Sequence, residues 1–150
     1  MPADPSRPHG KNLRRGRASL PGQIYHITTV TLGRAPVFSE LSNARLLIHS
    51  LRQAQVRDEA STLAFVVMPD HLHWLMQLGE GKSLSRVVRA VKAVTSHQIG
   101  KGIWQKGFHD HALRSDEDLV DVARYIVANP LRAGSVERLG DYTHWDAVWL

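Results

Sequence analysis

The sequence predicts an α+β fold: a ferredoxin-like four-stranded antiparallel sheet in the order β-α-β-β-α-β, with an added C-terminal helix that carries Tyr125. Three observations predict it. Apolar and polar residues alternate from His71 to Leu78, which marks a strand with one core face. The Pro69-Asp70 turn joins that strand to another over Thr62–Met68, so the two form a hairpin. An amphipathic helix from Ser83 to about Ile99 then separates this hairpin from a later strand, the order that a split β-α-β sheet requires.

The elements follow in order. Residues 1–20 hold three of the seven prolines, little apolar content, and Arg7, Lys11, Arg14, Arg15 and Arg17 against Asp4 alone, and read as a flexible basic arm. The remainder, 21–150, reads as one domain. Ile24 to Thr31 is β-branched and aromatic, a first strand. After the Gly33–Pro36 break, Ser39 or Ser42 caps a helix through about Arg57, with Leu46, Leu47, Ser50 and Leu51 near one stripe. Ser83 caps the next helix, whose Leu84, Val87, Val88, Val91, Val94 and Thr95 face the core, while Arg86, Arg89, Lys92 and Ser96 face away. Gly100 and Gly102 stop it. Ile103 to Leu113 is the fourth strand. Ser115 opens a last helix with an acidic first turn, suited to the macrodipole, and Asn129-Pro130 ends it. The tail, with Trp145 and Trp149, is apolar enough to dock.

Composition narrows the chemistry. At 150 residues, 43% hydrophobic and 22% charged, the chain has the make-up of an ordinary folded domain. It contains no cysteine, which excludes disulfides, thiolate nucleophiles and cysteine-ligated metal centres. Any metal must be held by nitrogen or oxygen ligands, favouring Mg²⁺ or Mn²⁺. No apolar run approaches the ~18 residues of a membrane span, and no apolar stretch follows the N-terminal basic residues as in a signal peptide, so a cytoplasmic location is expected. The net charge of +5 is uneven: from Gly81 to His109, Lys82, Arg86, Arg89, Lys92, Lys101 and Lys106 stand without an acid. Such blocks are either a solvated surface or the footprint of a polyanion binder.

Two constellations carry chemistry. On the third strand, Leu72, Trp74, Met76 and Leu78 share one face, which leaves His71 and His73 adjacent on the other, where two imidazoles can converge on one ion. Asp70 is either a further oxygen ligand or simply the hairpin turn. His109-Asp110-His111 repeats the spacing, but its charged middle residue denies that strand a clean core face and makes it an edge or partly solvated strand. On the last helix, Leu119, Val122, Ala123 and Ile126 form the core stripe, and Tyr125 points well away from its centre. Asn129 follows Tyr125 by one turn and points the same way, although Asn before Pro is also an ordinary helix terminus. A metal held by two His and an amide oxygen can polarise a phosphodiester, and a tyrosine on the same surface can attack it. The phosphotyrosine would conserve the bond energy, so a strand could be rejoined without a nucleotide cofactor.

These residues match a known family. Met68-Pro69-Asp70-His71-Leu72-His73 resembles the His-hydrophobe-His (HUH) motif of single-tyrosine transposases, and Tyr125-Ile126-Val127-Ala128-Asn129-Pro130-Leu131-Arg132-Ala133-Gly134 resembles their tyrosine helix. Tyr25-His26-Ile27-Thr28, the stretch Ile103 to His111 and the tail Asp141 to Asp146 fit as well. From about Gly22 to Trp149 the chain resembles the REP-associated tyrosine transposases, a bacterial branch of the Y1 insertion-sequence group. The resemblance implies His71 and His73 as metal ligands, Tyr125 as nucleophile, and Asn129 in the place of a third polar ligand, where some relatives have Gln. It further implies Mg²⁺ or Mn²⁺ and cleavage of single-stranded DNA beside an imperfect hairpin, leaving a 5′-phosphotyrosine and a free 3′-hydroxyl. Phosphate contacts are expected from Arg14, Arg15 and Arg17 of the arm and from Arg86, Arg89 and Lys92 of the second long helix. Monomer and homodimer both remain open. The competing classes are a non-catalytic nucleic-acid-binding module and a metal-dependent hydrolase built on His71, His73, His109 and His111; the first leaves the histidines unexplained, and the second needs no tyrosine.

Overall fold

The structure, a computed structural model, describes residues 19–114, 117–129 and the backbone of 145–147. Its strands are β1 (Ile24–Val30), β2 (Ala60–Met68), β3 (His71–Leu78), β4 (His109–Ala112) and β5 (Trp145–Ala147), and its helices α1 (Leu41–Val56), α2 (Leu84–Ile99) and α3 (Leu119–Val127). The sheet is antiparallel in the order β4-β1-β3-β2-β5. The α+β class and the split four-stranded arrangement are as predicted, and a fifth strand joins them. Part of the tail docks as β5, pairing Val66 with Trp145 and so covering the edge of β2 that would otherwise expose unpaired backbone groups. The arm with Arg14, Arg15 and Arg17 lies outside the described residues, as do Ser115, Pro130, Tyr142 and Trp149.

The sheet has two unlike faces. Leu72, Trp74, Met76 and Leu78 are all buried, as their alternation requires, beneath α1 and α2 with Tyr25, Ile27 and Val67. Among the described residues the opposite face is covered only in part, where Ala123, Ile126 and Val127 of α3 pack on Ala64, Val66, Met68 and Leu75. A bulge between Thr62 and Ala64 lets β2 serve both faces. It turns Thr62 toward the α1/α2 side, where its hydroxyl accepts the indole N–H of buried Trp74 at 2.9 Å. Between α1 and α2, the Thr95 hydroxyl donates to Val91 O at 2.8 Å and lies 3.2 Å from Ser50 Oγ, so the polar members of both stripes are satisfied inside the interface.

Helix ends divide into those that local chemistry decides and those it does not. Ser83 caps α2 as predicted, its hydroxyl accepting from Arg86 N, and Gly100 closes it at φ 98°, a left-handed conformation that costs glycine little. Val94, assigned to the core stripe, sits at its rim and is exposed. Neither Ser39 nor Ser42 caps α1; Ser39 is spent in a 3-10 turn, and the helix starts after Glu40 with no side-chain cap bond. Helix α3 starts at Leu119 rather than Ser115, because the Asp118 carboxylate accepts from Val120 N and Asp121 N and so satisfies the free first-turn donors.

The fourth strand is also less regular than the predicted Ile103–Leu113: the continuous ladder with β1 covers only His109–Ala112, while Trp104 makes an isolated bridge to Thr31 and Gln105 N donates to Val30 O at 2.9 Å. Between these two pairings the strand is interrupted. Trp104 packs on Phe38 with ring centroids 5.4 Å apart and donates its indole N–H to Lys92 O, while Gly107 breaks the extension at φ 81°. That β4 is an edge strand agrees with its charged middle residue.

Candidate active site on the open sheet face

The pleat gathers histidines on the face that α3 leaves open. His73 of β3 pairs with Thr28 of β1, and Thr28 pairs in turn with His109 of β4; His26 stands opposite both Leu75 and His111. Residues directly opposed on antiparallel strands share a face, so His26, Thr28, His71, His73, His109 and His111 all project from one side.

Within this group His71 and His73 form the compact pair, with ring centroids 4.9 Å apart at an interplanar angle of 86°. Each ring is held by its Nδ1. His71 Nδ1 lies 2.7 Å from the Asp70 carboxylate, whose other oxygen accepts from Arg34 Nε at 3.0 Å. Asp70 is fixed in turn because its carbonyl accepts from Thr31 N and from the Thr31 hydroxyl. Asp70 therefore orients His71 from the hairpin turn. Partial burial pushes its carboxyl up, but the hydrogen bond and electrostatics of His71, joined by Arg34, hold it below the ordinary value. His73 Nδ1 lies 3.0 Å from His26 Nε2 and 3.3 Å from Thr28 Oγ1. Burial, and secondarily the nearby His111, push His26 down to about 4, so its imidazole is neutral at physiological pH.

Helix α3 brings the third component. Asn129 Nδ2 lies 3.2 Å from Nε2 of His73. Ala128 keeps helical angles (φ −78°, ψ −2°), so Asn129 follows Tyr125 at the i, i+4 spacing even though the regular helix ends at Val127. Tyr125 is 62% exposed, which is where the helical wheel places it: Ile126 and Ala123 turn into the core and the phenol turns out. The residues assigned to the site by motif thus form a chain of neighbours: His71 beside His73, His73 against Asn129, and Asn129 one turn beyond Tyr125.

The donor set fits a divalent ion. With both Nδ1 atoms engaged, Nε2 is the nitrogen through which each ring could bind an ion, and on His73 it faces the Asn129 amide nitrogen in the metal-free protein. Among the described residues no three His, Asp or Glu side chains form a ligand cluster; Asn129, whose amide nitrogen faces His73, could supply its amide oxygen as a third donor once that amide turns. Two imidazoles and an amide carbonyl suit Mg²⁺ or Mn²⁺ better than a closed structural zinc site.

The competing pair is differently engaged. His111 Nε2 contacts the Glu117 carboxylate at 3.0 Å, and Glu117 also accepts from Arg114 N at 2.8 Å, which ties β4 to the approach of α3. His109 is exposed. The basic residues are dispersed. Arg86 and Arg89 are exposed on α2, in the layer across the sheet from the histidines. Lys92 turns aside to donate to Gln105 O at 3.0 Å and Gly107 O at 2.6 Å, with its ammonium 5.8 Å from the Trp104 ring centroid. The structure adds two participants to which motif reading gave no role: His26 and Arg34. The alternation of β1 could have found the first, since it sets His26 on the face opposite Tyr25 and Ile27.

Residues 19–129 match the family model described as Transposase IS200 like. The chain belongs to that transposase family. It is 37% identical over 81 residues to the REP-associated tyrosine transposase of Escherichia coli K12, covering 53% of this chain and 49% of that one. It is 32% identical over 99 residues to a Haemophilus influenzae protein assigned to the same REP-associated group, covering 55% of this chain and 56% of that one. The IS200-like chain thus spans about half the length of the curated relatives it matches. Its fold superposes on a solved REP-associated tyrosine transposase bound to a REP hairpin, with a TM-score of 0.74 and 27% identity over 86% of this chain and 79% of that one. These similarities bear out the resemblance read from the HUH and tyrosine-helix motifs. Among the described residues, no helix of this IS200-like transposase is long and apolar enough to cross a membrane.

Proposed function

We propose that this chain is a single-tyrosine HUH transposase that, with Mg²⁺ or Mn²⁺ bound, cleaves and rejoins single-stranded DNA beside imperfect REP-like hairpins in the cytoplasm. The observation that carries the reading is the contact between Asn129 and His73, which joins the helix bearing Tyr125 to the strand bearing the histidine pair. The solved neighbour bound to a REP hairpin supports the substrate class.

His71, His73 and Asn129 would hold the ion, which when bound polarises a non-bridging phosphoryl oxygen. The residues do the rest. Asp70 keeps the His71 ring in orientation. Tyr125, exposed on its helix, supplies its phenolic oxygen as the nucleophile. In cleavage the tyrosyl O–P bond forms and the P–O3′ bond breaks; the phenolic proton passes to solvent and the leaving 3′-oxygen takes one up. One phosphodiester replaces another, so attack by a 3′-hydroxyl on the phosphotyrosine reverses the step and rejoins a strand with no external energy source.

The test is incubation of the full chain with end-labelled single-stranded hairpin oligonucleotides from the flanks of its own gene, with Mg²⁺ or Mn²⁺. A metal-dependent covalent adduct on a denaturing gel is the expected result. Hairpin binding with no cleavage would make the chain a binding module, and cleavage with no adduct would make it a hydrolase.

A further inference from the structure

His73 is engaged at both ring nitrogens by groups from different elements. On one side Asn129 Nδ2, which is donor only, lies 3.2 Å from Nε2; on the other His26 Nε2 lies 3.0 Å from Nδ1. An amide N–H facing Nε2 requires a lone pair there, so in the neutral ring the proton sits on Nδ1. That proton points at His26 Nε2, which must then be the acceptor. The rings stand 5.2 Å apart and tilted by 38°, an in-plane hydrogen-bond approach rather than a stack. The pairing is set by the sheet: His26 and His73 are on neighbouring strands, one diagonal step apart on the same face, so β1 cannot shift register without losing it.

We propose that His26 is a positioning residue: its Nε2 accepts the Nδ1–H of His73 and thereby locks His73 in the tautomer and rotamer that present Nε2 to the ion. The proposal rests on the metal-site reading above. It gives His73 the same support that Asp70 gives His71, with a neutral acceptor in place of a carboxylate. Two ligands of one ion would then be held by partners of different charge, one from the hairpin turn and one from β1. Orienting partners of this kind typically change metal affinity by about 10- to 100-fold when removed. Thr28 Oγ1, at 3.3 Å from the same nitrogen, is the longer contact and the rival acceptor.

The experiment compares the full-length wild type with His26→Leu, His26→Gln and Thr28→Val. Imidazole ¹⁵N shifts are recorded on the metal-free proteins, Mn²⁺ affinity is measured by calorimetry, and far-UV circular dichroism confirms the fold. In the wild type His73 should show the Nδ1–H tautomer. His26→Leu should lose that preference and weaken Mn²⁺ binding about 10- to 100-fold. His26→Gln, whose amide oxygen can accept the same proton, should restore both, and Thr28→Val should change neither. A folded His26→Leu protein with wild-type tautomer and affinity would overturn the proposal, as would Thr28→Val having the larger effect. Loss of Mn²⁺ binding in both His26 variants, with the tautomer intact, would make His26 a ligand instead. Failure of Mn²⁺ to bind the wild type would sink the metal reading, whereas the ¹⁵N comparison on metal-free protein would still decide what His26 does to His73.

Discussion

Asn129 and His73 are 56 positions apart in the chain, yet the amide nitrogen of one lies 3.2 Å from Nε2 of the other. The contact couples two elements that could otherwise move separately: β3 in the middle of the sheet and the residues that directly follow α3. It sets the nucleophile's helix against the ligand strand, so a change at either residue should be felt at both. Asn129→Ala is expected to weaken Mn²⁺ binding by about tenfold or more, while Asn129→Asp, which keeps an oxygen donor and adds charge, should bind at least as tightly as wild type. Isothermal calorimetry on the two variants checks this. Equal affinity for Ala and wild type would return Asn129 to the role of a helix terminus.

Tyr125→Phe removes a single oxygen from a side chain that is 62% exposed. Thermal unfolding should shift by no more than the ~0.5 kcal/mol of a typical surface change. Hairpin binding should persist, because neither the ligand set nor a phosphate contact needs the hydroxyl. Cleavage and the covalent adduct should both disappear. Retained cleavage in this variant would assign the chemistry to activated water.

The two His-x-His segments should separate cleanly. Replacing His71 and His73 together by Ala is expected to abolish Mn²⁺ binding, and replacing His109 and His111 should leave it within a few-fold of wild type. The structural ground is that His111 is committed to Glu117, whereas Asp70 and His26 hold the first pair through Nδ1. A larger effect from the second pair would invert the assignment.

Arg86, Arg89 and Lys92 should not behave alike, although all three lie on α2. If the two exposed arginines meet phosphates, neutralising them lowers the salt dependence of hairpin binding by about 0.7 for each single-strand phosphate no longer neutralised. Lys92→Ala should instead lower stability, by about 1–2 kcal/mol, because its half-buried ammonium anchors the carbonyls of Gln105 and Gly107. Binding titrations against salt and thermal melts on the same proteins tell the two effects apart.

Acid should loosen the junction between β4 and α3. The backbone N–H of Arg114 and then the His111 ring hold the Glu117 carboxyl below its ordinary value. A depressed carboxyl contributes stability above the ordinary glutamate range and loses it as pH falls through the lowered folded value. Wild type should therefore lose more thermal stability than Glu117→Gln between pH 6 and pH 3. Parallel losses in the two proteins would leave the clasp without a measurable role.

Periodicity and local chemistry made much of this molecule legible. The alternation of β3 placed Leu72, Trp74, Met76 and Leu78 in the core and His71 and His73 on the other face, because strand geometry allows no other division. The same reasoning set Tyr125 off the apolar stripe of α3, and a local hydroxyl cap fixed the start of α2 at Ser83. These are short-range properties, dictated by residues within a turn or two of one another. What the tertiary structure alone decided is long-range. The docking of Trp145–Ala147 on β2 depends on an open sheet edge, which no local pattern shows. Lys92 left the polar face because the loop after α2 presented it with carbonyls, a partner invisible to a helical wheel. His26 became the partner of His73 through the register of β1 on β3, and register is a property of two strands together. The sequence by itself determined which side chains could do the chemistry; which of them support one another was settled only when the strands paired and α3 packed across the sheet.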